Sequence, residues 1–377
     1  MRKEAILLVP GLFGFGAIGP VRYFDRVAAL LSSSAGIPET DVFALDTPPT
    51  GPFWRRVNRV HEKVRELRQR FETIHLVGHS TGGVDIRLFA NDAYLWPGGP
   101  FGAERSEPFG SIGRIVSISA PHKGTPIATR LRGAMENAIP FLFLVSILAK
   151  ADEKGVFKEA LRPLTSAFAS MKIDLLPRSR VETALRISGM GKETAKQADE
   201  FLSSIVEDHC LVHELTPRAM AAVNEQIRGG RQLPVSNFVT VSPPPWPSVV
   251  RLSPGSPWFL TPFQRTMYTF SYENALPEPA AFPFGPFING VEPPSLSRFE
   301  QIAEDGVVPC ASQSMNDTAE AVVYGDHLDV VGHYQGEHGG ETVFDSGASF
   351  DDARMKGLWD AVGKLIRSKV RPYAAAG

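Results

Sequence analysis

With 377 residues and 43% apolar content, the chain can bury a sizeable core, as one large domain with insertions or as two domains. Acidic and basic residues nearly cancel, 41 against 39, and the net charge of −2 argues against nucleic acid as a partner. No apolar run reaches the length of a membrane span, and 31 Pro and 34 Gly require much irregular chain.

Met1-Arg2-Lys3 ahead of an apolar stretch has the outline of a secretory leader. Glu4 interrupts the charged-to-apolar order, however, and no small-x-small cleavage site follows promptly. Ala5-Ile6-Leu7-Leu8-Val9 reads better as a buried parallel strand. The chain as written is therefore expected to be cytoplasmic; a secreted protein stripped of its leader would look the same.

The glycine-rich stretch after this strand admits two readings. Gly14-Phe15-Gly16-Ala17-Ile18-Gly19 fits G-x-G-x-x-G, and Asp46 ends the next expected strand, as in a nicotinamide-dinucleotide site. Yet Gly14 lies well beyond the strand end at Val9, and Pro20 directly follows the last glycine. The alternative is a loop that lends a backbone N–H to an oxyanion hole, with glycines for close approach.

The next segments alternate. Arg22 to Ser34 has helical spacing, Asp41 to Asp46 reads as a strand, and Phe53 to Phe71 is an amphipathic helix with Val57, Val60, Val64 and Leu67 on one side. Then Ile74-His75-Leu76-Val77 runs into Gly78-His79-Ser80-Thr81-Gly82, which fits G-x-S-x-G, and a helical pattern follows. Strand, sharp turn and helix are the context of a nucleophile elbow. Only the oxyanion reading of the first loop also accounts for Ser80. Arg114 to Ser119 is a further strand. This alternation predicts an α/β fold with a mostly parallel sheet covered on both faces.

The rhythm breaks at 133–211, expected to form a helical cap or lid between core segments 1–132 and 212–377. Its run 139–149 is strongly apolar but too short to span a bilayer. Its apolar residues are expected to serve as cap core or, in a mobile lid over the site, to offer a greasy face to lipid, and both can hold. Thr216 and Pro217 read as the N-cap and first turn of a helix to Ile227. Phe238 to Val241 and Ala321 to Gly325 read as strands, the Pro- and aromatic-rich stretches between them as ordered loops, and Asp351 to Val370 as a closing helix.

Asp305 stands at a tight turn before Val307-Val308, and His327 follows the strand at 321–325. The order Ser80, Asp305, His327 is that of an α/β-hydrolase triad: nucleophile, orienting acid, proton carrier. His79 is fixed beside the nucleophile, while His122, His333 and His338 are expected on surface loops. Two cysteines, Cys210 and Cys310, allow one disulfide or two free thiols.

Taken together, several motifs resemble bacterial true lipases, the triacylglycerol lipases of the α/β-hydrolase superfamily. They are Val9-Pro10-Gly11-Leu12-Phe13-Gly14 with Tyr23-Phe24, the Ser80 elbow, Ser119 to Thr125, Leu215-Thr216-Pro217, Asp305 to Pro309 and Asp326-His327-Leu328-Asp329. The resemblance implies an α/β-hydrolase fold, an ester or lipid substrate, no cofactor, and oxyanion-hole amides on Leu12 and Thr81. The chain departs from the family where Pro10 replaces the usual His and where Cys210 precedes the Leu-Thr segment. The family's calcium site uses the aspartate after His-Leu, here Asp329, with a second upstream; no Asp lies between Asn274 and Gln301, so no bound calcium is expected. An esterase or polyester depolymerase without long-chain preference, a nicotinamide-dependent oxidoreductase and a non-catalytic binding protein are the competing readings.

Overall fold

A computed structural model describes residues 3–19, 21–130, 191–208, 210–243, 282–292, 303–334 and 346–368. The first strand, β1 (Glu4–Val9), is followed by a two-stranded hairpin, β2 (Ala17–Ile18) and β3 (Val21–Arg22). Then come α1 (Val27–Ala35), β4 (Val42–Ala44), α2 (Phe53–Leu67), β5 (Thr73–His79) and α3 (Thr81–Phe89). The short α4 (Ala103–Ser106) precedes β6 (Ile112–Ile118) and α5 (Pro126–Arg130). Beyond the undescribed stretch lie α6 (Gly191–Glu207), α7 (Cys210–Glu214), α8 (Pro217–Gln226), β7 (Ser236–Val241), β8 (Ala321–Tyr324) and α9 (Asp352–Arg367).

Six strands form one sheet in the order β4-β1-β5-β6-β7-β8, and every pairing is parallel. Successive residues of a strand face opposite sides, so a strand buried at every position has both faces covered. From Ile74 to His79 every residue of β5 is buried, as is every residue of β1 after Glu4. The helices supply the cover: α1 packs on α9, and α2 packs on α3. In α2 the buried stripe is Phe53, Arg56, Val57, Val60, His61, Val64 and Leu67, which follows helical spacing but includes two polar residues.

Local signals hold at helix starts. Thr216 caps α8, its Oγ1 accepting the Ala219 N–H, with Pro217 at the first position. Asp351 caps α9 by accepting the Arg354 N–H at 2.8 Å. One start differs: α1 begins at Val27 rather than Arg22, because the hairpin takes Val21 and Arg22 and Arg26 is left-handed at φ 60°. That hairpin bears on the dinucleotide reading, which needs the last glycine to open directly onto a helix. Here Ala17 and Ile18 form a strand instead, and Asp46 Oδ1 accepts the Gly16 N–H at 2.5 Å.

The expected cap lies mostly outside the described residues, as do its run 139–149, residues 244–281 and His338. Within it, α6 rests on the loop after β1. Gln197 Oε1 accepts the Gly19 N–H at 2.8 Å, and Phe201 meets Phe15 edge-on at 6.0 Å between centroids. Cys210 is exposed, Cys310 is buried, and no disulfide joins them. Among the described residues no helix is long and apolar enough to cross a membrane.

Candidate active site

Four connections at the carboxyl edge of the sheet converge: those after β1, β5, β7 and β8. This is where open parallel sheets hold their ligands. Ser80 sits between β5 and α3 at φ 54° and ψ −129°, a conformation an L-residue adopts only under tertiary constraint. Its N–H donates to Ile118 O at 2.8 Å, and its carbonyl accepts the Gly83 N–H at 2.9 Å. The flanking glycines are required by close approach. A Cβ on Gly82 would fall 2.1 Å from Val9 O, and one on Gly78 would fall 2.4 Å from Gly82 O. Ser80 is 6% exposed.

Asp305 and His327 meet from two different loops. His327 Nδ1 lies 2.7 Å from Asp305 Oδ2, and the His327 N–H donates to Asp305 O at 2.9 Å. The carboxylate has further donors. Oδ1 accepts the Val307 and Val308 N–H groups at 3.1 and 2.8 Å, and Oδ2 accepts Gln313 Nε2 at 3.2 Å. Gln313 is itself fully buried and anchored on β7, accepting the Thr240 N–H at 2.7 Å and donating to Thr240 O at 2.9 Å. Nothing in the sequence singles out Gln313. A glutamine eight positions after an acid carries no local signal, and only the strand register brings β7 beneath it.

The loop after β1 closes over Ser80. A Cβ on Gly11 would stand 2.6 Å from Ser80 Cβ and 3.0 Å from its Oγ. Among the described residues, neither the Leu12 nor the Thr81 N–H is engaged by a hydrogen bond. Phe13 is left-handed at φ 58°, and its N–H donates to Pro49 O at 2.9 Å.

Beneath this loop lies Arg56, fully buried on α2. It donates to Pro10 O at 2.7 Å, Gly11 O at 3.2 Å, Pro48 O at 2.8 Å and Thr47 Oγ1 at 2.9 Å. It also pairs with the fully buried Asp85 of α3 through Oδ2 at 2.7 Å. Asp85 Oδ1 has no partner among the described residues. Burial pushes the Asp85 carboxyl up to about 6 despite the opposing Arg56 charge. Nearby Glu214 of α7 accepts the Phe53 N–H at 2.6 Å, and burial pushes it up to about 7.

Two histidines expected at the surface are buried instead. His122 lies 2.9 Å through Nε2 from Ser117 Oγ, and His333 Nε2 donates to Tyr23 O at 2.9 Å. A place on a loop does not bring exposure here, because both loops pack against other parts of the chain and the two rings bond polar groups there. Asp329 Oδ2 accepts the Asp326 N–H at 2.8 Å, closing the turn that carries His327. Among the described residues no group of three or more His, Cys, Asp or Glu could hold a metal ion.

The parallel sheet in this strand order, with a strained serine at the strand-to-helix turn and a late acid–histidine pair, is the α/β-hydrolase fold. No family model matches the chain. It is similar to a triacylglycerol lipase of Pseudomonas fragi, 27% identical over 132 residues, which are 34% of this chain and 39% of that protein. The match thus spans well under half of that relative's length. Among solved structures, EstA from Clostridium botulinum superposes with a TM-score of 0.50 at 15% identity, covering 98% of this chain and 89% of that one. Lipase 1 from Pelosinus fermentans gives a TM-score of 0.50 at 16% identity, covering 97% of this chain and all of the other.

Proposed function

We propose that the protein is a lipase-like serine hydrolase of carboxylic esters, working through an acyl-enzyme. The observation that carries this reading is the Asp305–His327 pair on the same sheet edge as the strained Ser80. Ser80 Oγ attacks the acyl carbonyl while His327 Nε2 takes its proton. Asp305 holds the Nδ1–H tautomer and balances the imidazolium. The Leu12 and Thr81 N–H groups receive the oxyanion as the tetrahedral intermediate forms. His327 returns the proton to the departing alcohol, and water repeats the sequence to release the acid. The partial likeness to a triacylglycerol lipase supports an ester or lipid substrate. The apolar run 139–149 is the segment we assign to transient contact with a lipid surface.

The test is hydrolysis of a p-nitrophenyl ester series, with and without a serine-reactive phosphonate. Turnover abolished by one equivalent of phosphonate on Ser80 is expected. No turnover on any chain length, or turnover indifferent to the phosphonate, overturns the reading. A profile confined to short acyl chains makes the protein an esterase or polyester depolymerase rather than a lipase.

A further inference from the structure

His79 and Tyr23 take no part in the mechanism above, yet they stand between its two halves. Tyr23 lies between β3 and α1, and His79 is the last residue of β5; both are buried. The Gly11 N–H donates to Tyr23 Oη at 2.9 Å, and Tyr23 Oη lies 2.8 Å from His79 Nδ1. On the other side, His79 Nε2 lies 2.8 Å from the carbonyl oxygen of His327.

The proton positions follow from the partners. A carbonyl oxygen only accepts, so Nε2 of His79 carries the hydrogen and Nδ1 is the acceptor. Tyr23 therefore donates to Nδ1 while its oxygen accepts from Gly11. One arrangement satisfies every atom, and no rotor is free to swing. Burial, together with the neighbouring His327, holds His79 well below the ordinary histidine range, so it stays neutral. Burial likewise raises the Tyr23 hydroxyl, so its proton stays on oxygen. A neutral His79 also suits its place, because its ring centroid is 4.8 Å from that of His327. A second positive charge there would oppose formation of the imidazolium.

A Tyr–His pair that merely filled the core could end on any backbone. This one ends on the residue before Leu12 and on His327 itself. Resting on the ester-hydrolase reading, we propose that Tyr23 and His79 form a positioning bridge that ties the oxyanion loop to the backbone of His327. The bridge fixes the spacing between the amides that receive the oxyanion and the imidazole that takes the proton.

The experiment compares wild type with Tyr23→Phe, His79→Gln and His79→Leu. It reads kcat and KM on a p-nitrophenyl ester and the downfield proton resonance of His327 Nδ1–H in the resting protein. Tyr23→Phe removes one oxygen on the loop side and leaves Asp305 and His327 untouched. It is expected to lower kcat about tenfold with KM within about twofold, and to move the His327 resonance. His79→Gln keeps a donor for the His327 carbonyl and should retain more activity than His79→Leu. If His79→Leu does not fold, the other two variants decide. Unchanged kcat with an unmoved resonance in Tyr23→Phe overturns the bridge, as does a rise in KM alone. A wild type inert towards esters would sink the hydrolase reading instead, and the resonance of Tyr23→Phe would still judge the bridge.

Discussion

On its N-terminal side, the site around Ser80 is held by backbone strain and one buried cation, while on its C-terminal side Asp305 and His327 are held by small neutral donors. Arg56 gathers Pro10 O, Gly11 O, Pro48 O and Thr47 around a charge whose counter-ion, Asp85, is equally buried. Asp305 instead collects the N–H groups of Val307 and Val308 and the amide of Gln313. The two halves are accordingly vulnerable in different ways. A buried ion pair is costly to break, since the survivor is left charged in a medium that cannot solvate it. A network of neutral donors loses one bond at a time. Loss of the supports of the N-terminal half, Arg56 and Asp85, should therefore show in stability, and loss of those of the C-terminal half in activity.

The largest effect expected is in the chemistry. Ser80→Ala or His327→Ala should lower kcat by about four to six orders of magnitude with the melting temperature nearly unchanged. Near-normal turnover in Ser80→Ala would remove the acyl-enzyme mechanism, and near-normal turnover in His327→Ala would remove the C-terminal half from the comparison.

Next comes Arg56→Ala. It strands Asp85 and four acceptors, and should destabilise the fold by about 3–5 kcal/mol in urea titration. A loss below about 1 kcal/mol would mean that water enters and solvates Asp85, and the contrast between halves would fade.

A smaller effect sharpens the same point. Glu214 titrates at about 7 when folded and near the ordinary glutamate value when unfolded, so the folded state binds the extra proton. Stability then falls as pH rises from about 4 to about 7, and the cost of the buried charge is fully present only above that window. Glu214→Gln should thus stabilise the protein by about 1–3 kcal/mol at pH 8, with the gain shrinking towards pH 5. Melting curves at the two pH values check this; a gain independent of pH would point to packing rather than charge.

The smallest expected effect is none at all. With Asp329 Oδ2 closing the turn at Asp326, chelation by EDTA should leave activity and melting temperature where they are. If EDTA lowers the melting temperature and calcium restores it, Asp329 is a ligand, and the C-terminal half depends on a cation as the N-terminal half does.

The features legible in the sequence are those set by contacts a few residues apart. The elbow is readable because Gly78, Ser80 and Gly82 must fit between one strand and the helix that follows it directly. Thr216 is readable as a cap because it satisfies an amide three residues on. The apolar run at 5–9 and the β-type run at 74–77, broken only by His75, announce strands buried on both faces, and hence a parallel sheet. Even the order of Ser80, Asp305 and His327 is visible, since chain order survives folding.

The tertiary structure decided what Arg56, Tyr23, His79, Gln313, His122 and His333 do. In the sequence Arg56 is one of several charges on an amphipathic helix; its partners sit 29 positions away at Asp85 and 46 away at Pro10. Tyr23 reaches His79 across 56 positions, and His79 reaches His327 across 248. A buried polar side chain takes its role from whichever acceptor or donor the sheet register brings within about 3 Å. Periodicity records only that a position is inside or outside. Which polar groups meet there is fixed by strand order and crossover, which no local pattern encodes.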